Sequence, residues 1–538
     1  MFNALSDVAV TMVIIFISIL LVIIAFLCIR LTFLASIDED LREIGVMKAM
    51  GIPKNNIKKI YISKYKFMSV LAGIIGYIFS FIVVKVFSNS MRLYLSSDLP
   101  GNLKYLLSLV VPLFIYFVIV MYCKKVLKRI DKISAVKALS SDIMVGGKKQ
   151  KYSFPLLKNK FLSINIYMGI RDVWKRFKLY RLLFFIFIVC TFIAILPLNI
   201  YNTMNSPEFS TYMGIGKCDM RIDLRKTDTI TEDFIKLQEE IKNDPDVKKY
   251  AAFITCSYQV KNSNHSWDYI NIEIGDFSVF PLNYLEGRAP EFEGEIALSY
   301  ANASKDALDK NIGDEVIIRV DDEEKAMKVC GIYQDITNGG KTAKANESLR
   351  LNQNAILWYI INIDVVSGID IEEKVNYYQA SYDNAQVNDI KEYTKQTLGS
   401  ITEQIKNIVI AAILIALIII VLITGLFLRM IMAKDMAQIA IMRSVGLTSD
   451  NVKHQYMSGI LLVLISGIVF GVMASIYIGE SLVSVAMSIM GASRIEFVNI
   501  MWQTWILCPL MFVVAVLLTI FLSFKRELDE DLSVVLRS

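Results

Sequence analysis

Two stretches come closest to a phosphate-binding loop, Gly214-Ile215-Gly216-Lys217 and Gly146-Gly147-Lys148-Lys149. Neither has the GxxxxGK[ST] spacing that wraps a phosphate in backbone N–H groups, so ATP hydrolysis by this chain is not expected. Metal chemistry needs clustered ligands, yet the two histidines, His265 and His454, stand far apart in sequence. The seven cysteines, Cys28, Cys123, Cys190, Cys218, Cys256, Cys330 and Cys508, show no CxxC spacing. Only three of them fall in the large hydrophilic segment, an odd number that suggests no disulfide framework. No GxSxG, HExxH or carboxylate pair stands out. The chain reads as non-catalytic, and any energy it uses must enter through another protein.

What does recur is a patterned segment. LREIGVMKAMGIPKNNIKKIYIS begins at Leu41 and MAQIAIMRSVGLTSDNVKHQYMS at Met436, 395 residues later. Without a gap, Ile44 matches Ile439, Met47 matches Met442, Gly51 matches Gly446, Asn56 matches Asn451, Tyr61 matches Tyr456 and Ser63 matches Ser458. The register runs on into the next apolar stretch, where Gly76 meets Gly471 and Ser80 meets Ser475. Ile44, Met47 and Met50 lie three apart, an apolar stripe on one helix face, with Arg42, Glu43 and Lys48 off it. Gly51 supplies the helix stop and Pro53 prevents continuation. The expectation is a short helix lying across the cytoplasmic ends of two membrane spans. An interfacial helix resting on lipid is the plain alternative; a docking helix for a cytoplasmic partner better explains why polar positions repeat.

The elements that must hold these segments are membrane helices. Of 538 residues, 54% are hydrophobic and 20% charged, with a net charge of +5, which makes a purely soluble enzyme a poor fit. Runs free of charge, apart from Asp7 at the edge of the first, recur at 7–29, 67–84, 105–122, 182–201, 407–428, 460–479 and 501–523. Each can cross a bilayer core of about 30 Å as a helix. The first has no basic residue before Arg30 and no small-residue cleavage site, so it reads as a retained span and not a signal peptide. Sixteen Lys or Arg between Lys124 and Arg181, against Asp131, Asp142 and Asp172, put that segment in the cytoplasm. Counting outward puts 35–66, 429–456 and the tail after Phe524 inside, and 202–404 outside. None of the spans has an ionisable residue near its middle, which disfavours an ion-coupled transporter or channel.

Residues 202–404 change to polar turns and alternating strands. Strands are expected at 316–320, 326–332 and 355–363, and a helix at 231–243 with Phe234, Leu237 and Ile241 inward. Asn338 to Asn346 reads as a solvated loop, and Arg288 as a local ion-pair partner of Glu286 or Glu295. The fold class expected is a membrane all-α bundle of about seven transmembrane helices in two related halves, with an inserted α+β extracellular domain. The domains are 1–140, a first three-helix half; 141–181, a basic linker and elbow; 182–201, a span; 202–404, the outer domain; and 405–538, a second three-helix half.

Arg42-Glu43-Ile44-Gly45-Val46-Met47-Lys48-Ala49-Met50-Gly51 resembles the REIGLLRALG signature of FtsX-like permeases, the membrane subunits of MacB-type ABC transporters. Asn165 to Arg181 is similar to the basic elbow that precedes a family half. Leu285-Glu286-Gly287-Arg288-Ala289-Pro290, Gly294 to Ser299, Ile312 to Val316 and Val329 to Ile332 resemble the MacB-like outer domain. The resemblance implies a type VII ABC architecture in the bacterial cell membrane, which couples a separate cytoplasmic ABC ATPase, acting as a dimer, to export or extraction at the outer face. It implies ATPase-coupling roles for Arg42, Glu43, Ile44, Met47, Lys48, Met50 and Gly51, and for Gln438, Ile439, Met442, Arg443 and Gly446. Ala437, Gln438 and Ala440 depart from the signature at the places of Arg42, Glu43 and Gly45. No cofactor is expected in this chain, with ATP and Mg on the partner ATPase; besides the lipid bilayer, no nucleic acid is expected. Family halves begin with a helix and an outer domain; here the second half has both and the first neither. A missing amino-terminal fragment or a second permease is therefore a further expected partner. The alternative function is a sensor that detects an antimicrobial peptide or controls a cell-wall enzyme without transport.

Overall fold

A computed structural model describes residues 2–91, 101–127, 163–227, 230–321, 323–349, 351, 353–382 and 384–535. The basic linker up to residue 162 and the KISAVKAL stretch lie outside the described residues. The chain forms two compact units, one of residues 1–14, 196–409 and 476–500, the other of 15–195, 410–475 and 501–538.

The second of these is helical. It draws on α1 (Phe2–Glu39), α2 (Leu41–Ala49), α3 (Lys54–Met91), α4 (Gly101–Val126), α5 (Ile164–Lys175), α6 (Phe177–Met204), a later pair of long helices and a carboxy-terminal helix. Among the described residues, six helical stretches are long and apolar enough to span a bilayer: 13–33, 54–81, 177–204, 401–436, 449–488 and 503–524. The seventh apolar run, 105–122, falls within α4. Around the first hairpin, Phe33, Ile44, Ile57, Tyr61, Tyr65, Cys123 and Leu127 form a buried cluster. Phe33 stacks on Tyr65 with ring centroids 3.8 Å apart.

The other unit contains the outer domain. Strands β1 (Met220–Arg225), β2 (Val247–Lys261), β3 (Trp267–Gly275), β4 (Tyr284–Gly287), β5 (Glu295–Ser299), β6 (Glu315–Val320), β7 (Glu323–Tyr333), β8 (Thr342–Ala345), β9 (Ile356–Val365) and β10 (Ala385–Asp389) make one sheet. Its order is β10-β1-β9-β2-β3-β8-β5-β7-β4, and β6 pairs with both β2 and β7. The ring β2-β3-β8-β5-β7-β6 therefore closes on itself, and the long β2 continues into the open part. Helices α7 (Ile230–Asn243) and α8 (Ile371–Ser381) cover the open part, with Phe234, Leu237 and Ile241 packed on Ile222 and Ile361. The expected helix and three strands are present within a few residues. The expected loop at 338–346 is not: Thr342–Ala345 is a buried strand, parallel to β3 and antiparallel to β5. Ala343 and Ala345 are small enough to pass between those two strands with no exposed surface.

The later long helices are α9 (Ile390–Ser444) and α10 (Ser449–Ser488), followed by α11 (Cys508–Val535) behind a π turn at Gln503–Leu507. The two repeated segments differ from the expected short crosswise helix. In the second half the segment is the uninterrupted end of the 55-residue α9. In the first half only Asp40 separates α1 from α2, and the helical hydrogen bonds Asp40 N–H to Ser36 O and Ile44 N–H to Asp40 O, both 2.9 Å, run across it. Ala437 and Ala440 stand where the first half has Arg42 and Gly45, and glycine is the weakest helix former short of proline.

Candidate functional site

Each half turns back through the same backbone device. Gly51 sits at φ +82°, and the turn is closed by Gly51 N–H to Lys48 O and Ile52 N–H to Met47 O, both 3.1 Å. Gly446 sits at φ +100°, closed by Gly446 N–H to Arg443 O at 3.0 Å and Leu447 N–H to Met442 O at 3.1 Å. This is a Schellman cap, in which a left-handed residue lets two donors satisfy the last carbonyls. The glycine stop read from sequence is thus present twice. Each hairpin then returns directly into α3 or α10.

The stripe read from sequence is divided by the structure. Ile44 and Ile439 are fully buried and hold their hairpins together, and Met47 and Met442 are half-buried. Met50 is 66% exposed, with Val46 beside it one turn earlier. Their counterparts Val445 and Ile441 are 76% and 63% exposed. Glu43 and Gln438 are exposed, and the Arg443 guanidinium donates to the Ser449 hydroxyl at 2.7 Å. Lys48 is half-buried, and the Arg42 side chain lies outside the described residues. Val46, Ile441 and Val445 are the exposed residues that a three-residue stripe misses. An i, i+4 count from the capped end at Met50 would have found them.

Behind each tip is a second repeated device. The Tyr61 hydroxyl donates to Asp40 at 3.0 Å, and the Tyr456 hydroxyl donates to Asp435 at 2.7 Å. These residues are also 395 apart. In the second half the elbow joins in: Arg176 Nη1 reaches both Asp435 oxygens at 2.6 Å, and its Nε reaches Asp172 at 3.0 Å. Burial pulls the Arg176 guanidinium down, but its bonds to Asp435 and Asp172 carry it above the usual arginine value. Burial pushes the Asp172 carboxyl up, against the pull of Arg176. The elbow lies along α10 at close range, where Asn165 donates to Asn451 at 2.9 Å. A Cβ on Gly169 would lie 2.0 Å from the Ser458 hydroxyl, so only glycine allows that approach.

The outer unit has its own polar site. Strand alternation turns Ile222 and Leu224 into the core and Arg221, Asp223 and Arg225 to the opposite face. There a cleft of about 650 Å³ is lined by Arg221, Asp223, Glu273, Asp335, Trp358 and Tyr393, among others. Asp335 is buried and accepts from Thr337 N–H (2.7 Å), the Thr337 hydroxyl (2.6 Å) and the Thr342 hydroxyl (2.5 Å). Burial pushes its carboxyl up to about 6, although those bonds hold it down. Residues 490–498, between α10 and α11, fasten to this same unit. Arg494 N–H donates to the Gln334 side chain (2.8 Å), Glu496 N–H to the Tyr212 hydroxyl (2.9 Å) and Val498 N–H to Thr203 (3.0 Å). At Gly491, φ is +102° and an added Cβ would meet the Asp335 carbonyl at 2.3 Å. The expected Arg288–Glu295 ion pair is present and bidentate, at 2.9 and 2.6 Å.

The family model for the FtsX-like permease C-terminal domain matches residues 15–132 and again 410–528, one match around each hairpin. Both halves of the chain thus contain an FtsX-like permease C-terminal domain. Solved structures with some likeness to this chain include the periplasmic region of MacB from Actinobacillus actinomycetemcomitans, 15% identical over 35% of this chain and 94% of that one, with a TM-score of 0.26. They also include the extracellular domain of the noncanonic ABC-type transporter YknZ from Gram-positive bacteria (13% identity, 32% of this chain, 99% of that one, TM-score 0.24). A permease-protein domain from Porphyromonas gingivalis matches at 12% identity over 32% of this chain and 89% of that one, with a TM-score of 0.22. No curated protein matches the chain. The two permease domains and the helical stretches long enough to span a bilayer fit a multi-pass cell-membrane protein with a mixed-sheet domain inserted between them in sequence.

Proposed function

We propose that this permease couples ATP hydrolysis by a separate cytoplasmic ABC ATPase to movement of its extracellular domain, acting on a substrate at the outer membrane face. The observation that carries this reading is the doubled hairpin, each tip glycine-capped and clasped by a Tyr–Asp bond, and each presenting an exposed apolar pair. A rigid tip with an apolar centre and a charged rim is what a protein interface needs from a short element. ATP and Mg belong to the partner, for which Arg42, Glu43, Lys48, Gln438 and Arg443 supply the polar rim and Met50 and Val445 the apolar contacts. Force applied there enters α9 and α10, which run unbroken for 55 and 40 residues and contribute to both compact units. The test is co-purification with a cytoplasmic ABC ATPase from the same cells, followed by ATPase assay. Met50→Asp with Val445→Asp should abolish both co-purification and stimulated activity, and a complex indifferent to that pair would refute the reading.

The outer cleft favours a second reading, in which a ligand bound there is reported inward without transport. Charges of both signs beside Trp358 suit an amphipathic peptide. A reconstituted complex that binds such a peptide but neither moves nor extracts it would select this reading.

A further inference from the structure

The elbow does not close against α10 along its whole length. Asn165, Gly169 and Val173 touch it, but beside that line a groove of about 540 Å³ opens between α5 and α10. Its lining changes along α10. Asn451 and His454 stand at the cytoplasmic end with Asn165, whose amide donates to the Asn451 oxygen, so Asn451 has its N–H donors to offer. Leu461, Leu462 and Ile465 come next, with Ile166 and Ile170 of the elbow on the other wall. Leu462, Ile465 and Ile166 are 37%, 55% and 40% exposed. From His454 to Ile465 is about 16 Å of helix, and the charge-free run 460–479 begins between them. One end of the groove is therefore at the level of lipid headgroups and the other in hydrocarbon.

The elbow carries the same two chemistries outward. Trp174 continues the four-residue spacing of Ile166 and Ile170 and is 64% exposed, a residue type favoured where membrane meets water. Arg171 and Lys175, four apart, run beside that stripe, and Lys178 is exposed on the first turn of α6. Arg176 and Asp172 are committed to each other and to Asp435, so they leave this edge basic. Burial, and next to it the charge of Arg171, hold the Lys175 ammonium below the usual lysine value, which shows positive charge crowding the edge. The cytoplasmic segment as a whole cannot neutralise it, with sixteen Lys or Arg from Lys124 to Arg181 against three acids.

We infer that the groove between the elbow and α10 seats an anionic phospholipid of the cytoplasmic leaflet, with an acyl chain along Ile166, Ile170, Leu461 and Ile465 and its headgroup at the Asn165–Asn451 end beside the basic edge of the elbow. A soluble partner has no access to the apolar end, which lies within a membrane-spanning stretch. Free phosphate would use the polar end and leave Leu462 and Ile465 uncovered. A zwitterionic lipid fills the groove but does not answer the charge of Arg171, Lys175 and Lys178, and basic segments beside a span draw anionic lipid.

The test is photolabelling of the purified full chain in phosphatidylcholine vesicles containing phosphatidylglycerol with a diazirine in one acyl chain, the adducts being mapped by mass spectrometry. Labelling should concentrate on Ile166, Ile170, Leu461, Leu462 and Ile465, and unlabelled phosphatidylglycerol should compete where phosphatidylcholine does not. Arg171→Gln with Lys175→Gln and Lys178→Gln should lower the yield by about tenfold or more. Leu462→Trp, which fills the groove from a partly exposed position, should lower it equally while the melting temperature in detergent stays at the wild-type value. Equal labelling by a diazirine phosphatidylcholine, labelling spread evenly over the lipid-facing helices, a groove left unlabelled, or a yield unchanged by Leu462→Trp would each overturn the inference. The measurement needs no ATPase, so its outcome is separate from that of the coupling proposed above.

Discussion

At the scale of single residues, conformation and burial give the clearest expectations. Gly51 and Gly446 occupy left-handed conformations with no atom near a hypothetical Cβ. Alanine there pays only backbone strain, about 1–2 kcal/mol at each site. Gly51→Ala and Gly446→Ala should each lower stability by that order, read as a drop in melting temperature in detergent, without changing the apolar tips. Asp335 tests differently. Its carboxyl titrates near 6 folded and near the ordinary 3.8 unfolded, so between those values the folded protein holds more protons. Stability of the outer unit is then greatest below about pH 4 and falls as pH rises to 6, by about 3 kcal/mol in all. Asp335→Asn should remove that dependence, which thermal melts at pH 5 and pH 7.5 would reveal. A slope equal to wild type would show that Asp335 is not the titrating group.

Helices and loops set the next level. The elbow is tied to α9 by Arg176 and Asp435, whose side chains are 28% and 6% exposed. Arg176→Ala strands a carboxylate away from water and should cost about 3–5 kcal/mol, the range for breaking a buried pair from one side. Arg176→Ala with Asp435→Asn should recover part of the loss, and a double mutant no better than the single would mean that the pair is not coupled. Along α10, Gly471→Leu drives a side chain into Thr191 and should prevent α6 from seating, whereas the same change at Gly76 on α3 is harmless to the isolated chain. Equal expression and equal melting of the two variants would contradict the difference between the halves. The segment around Gly491 is visible in sequence as a polar break between two apolar runs. Its attachment to Gln334, Tyr212 and Asp335 is not, because those partners lie more than 150 residues away and no local pattern encodes them.

For the whole molecule, duplication is the governing fact. Two FtsX-like permease domains, two capped hairpins and two Tyr–Asp clasps share one register, and among the described residues the elbow and α6 pack on α10 of the second half. The halves should accordingly contribute unequally to coupling. Asp substitutions at Met50 and at Val445, made one at a time, should reduce ATPase stimulation by different factors. A proline at Leu414, inside α9, should leave the tips able to bind the ATPase while uncoupling its activity from the outer unit. Helix breakage there costs about 3 kcal/mol or more and interrupts the element that residues of both units share. Retained coupling in that variant would exclude α9 as the transmitting element.

Local chemistry carried most of what the sequence by itself determined. Span positions follow from hydropathy, the hairpin stops from Gly51 and Gly446, and the strands expected at 316–320 and 355–363 from β-branched content, all properties of neighbouring residues. The repeat was legible because a fixed offset needs no structure. Tertiary packing alone decided which side of the tip is free, burying Ile44 and exposing Val46 and Met50. It also made Thr342–Ala345 a buried strand and brought Arg176 to Asp435. Each of these depends on which distant surface arrives at a residue, and burial and charge pairing are set by that arrival and not by the residue's neighbours in the chain.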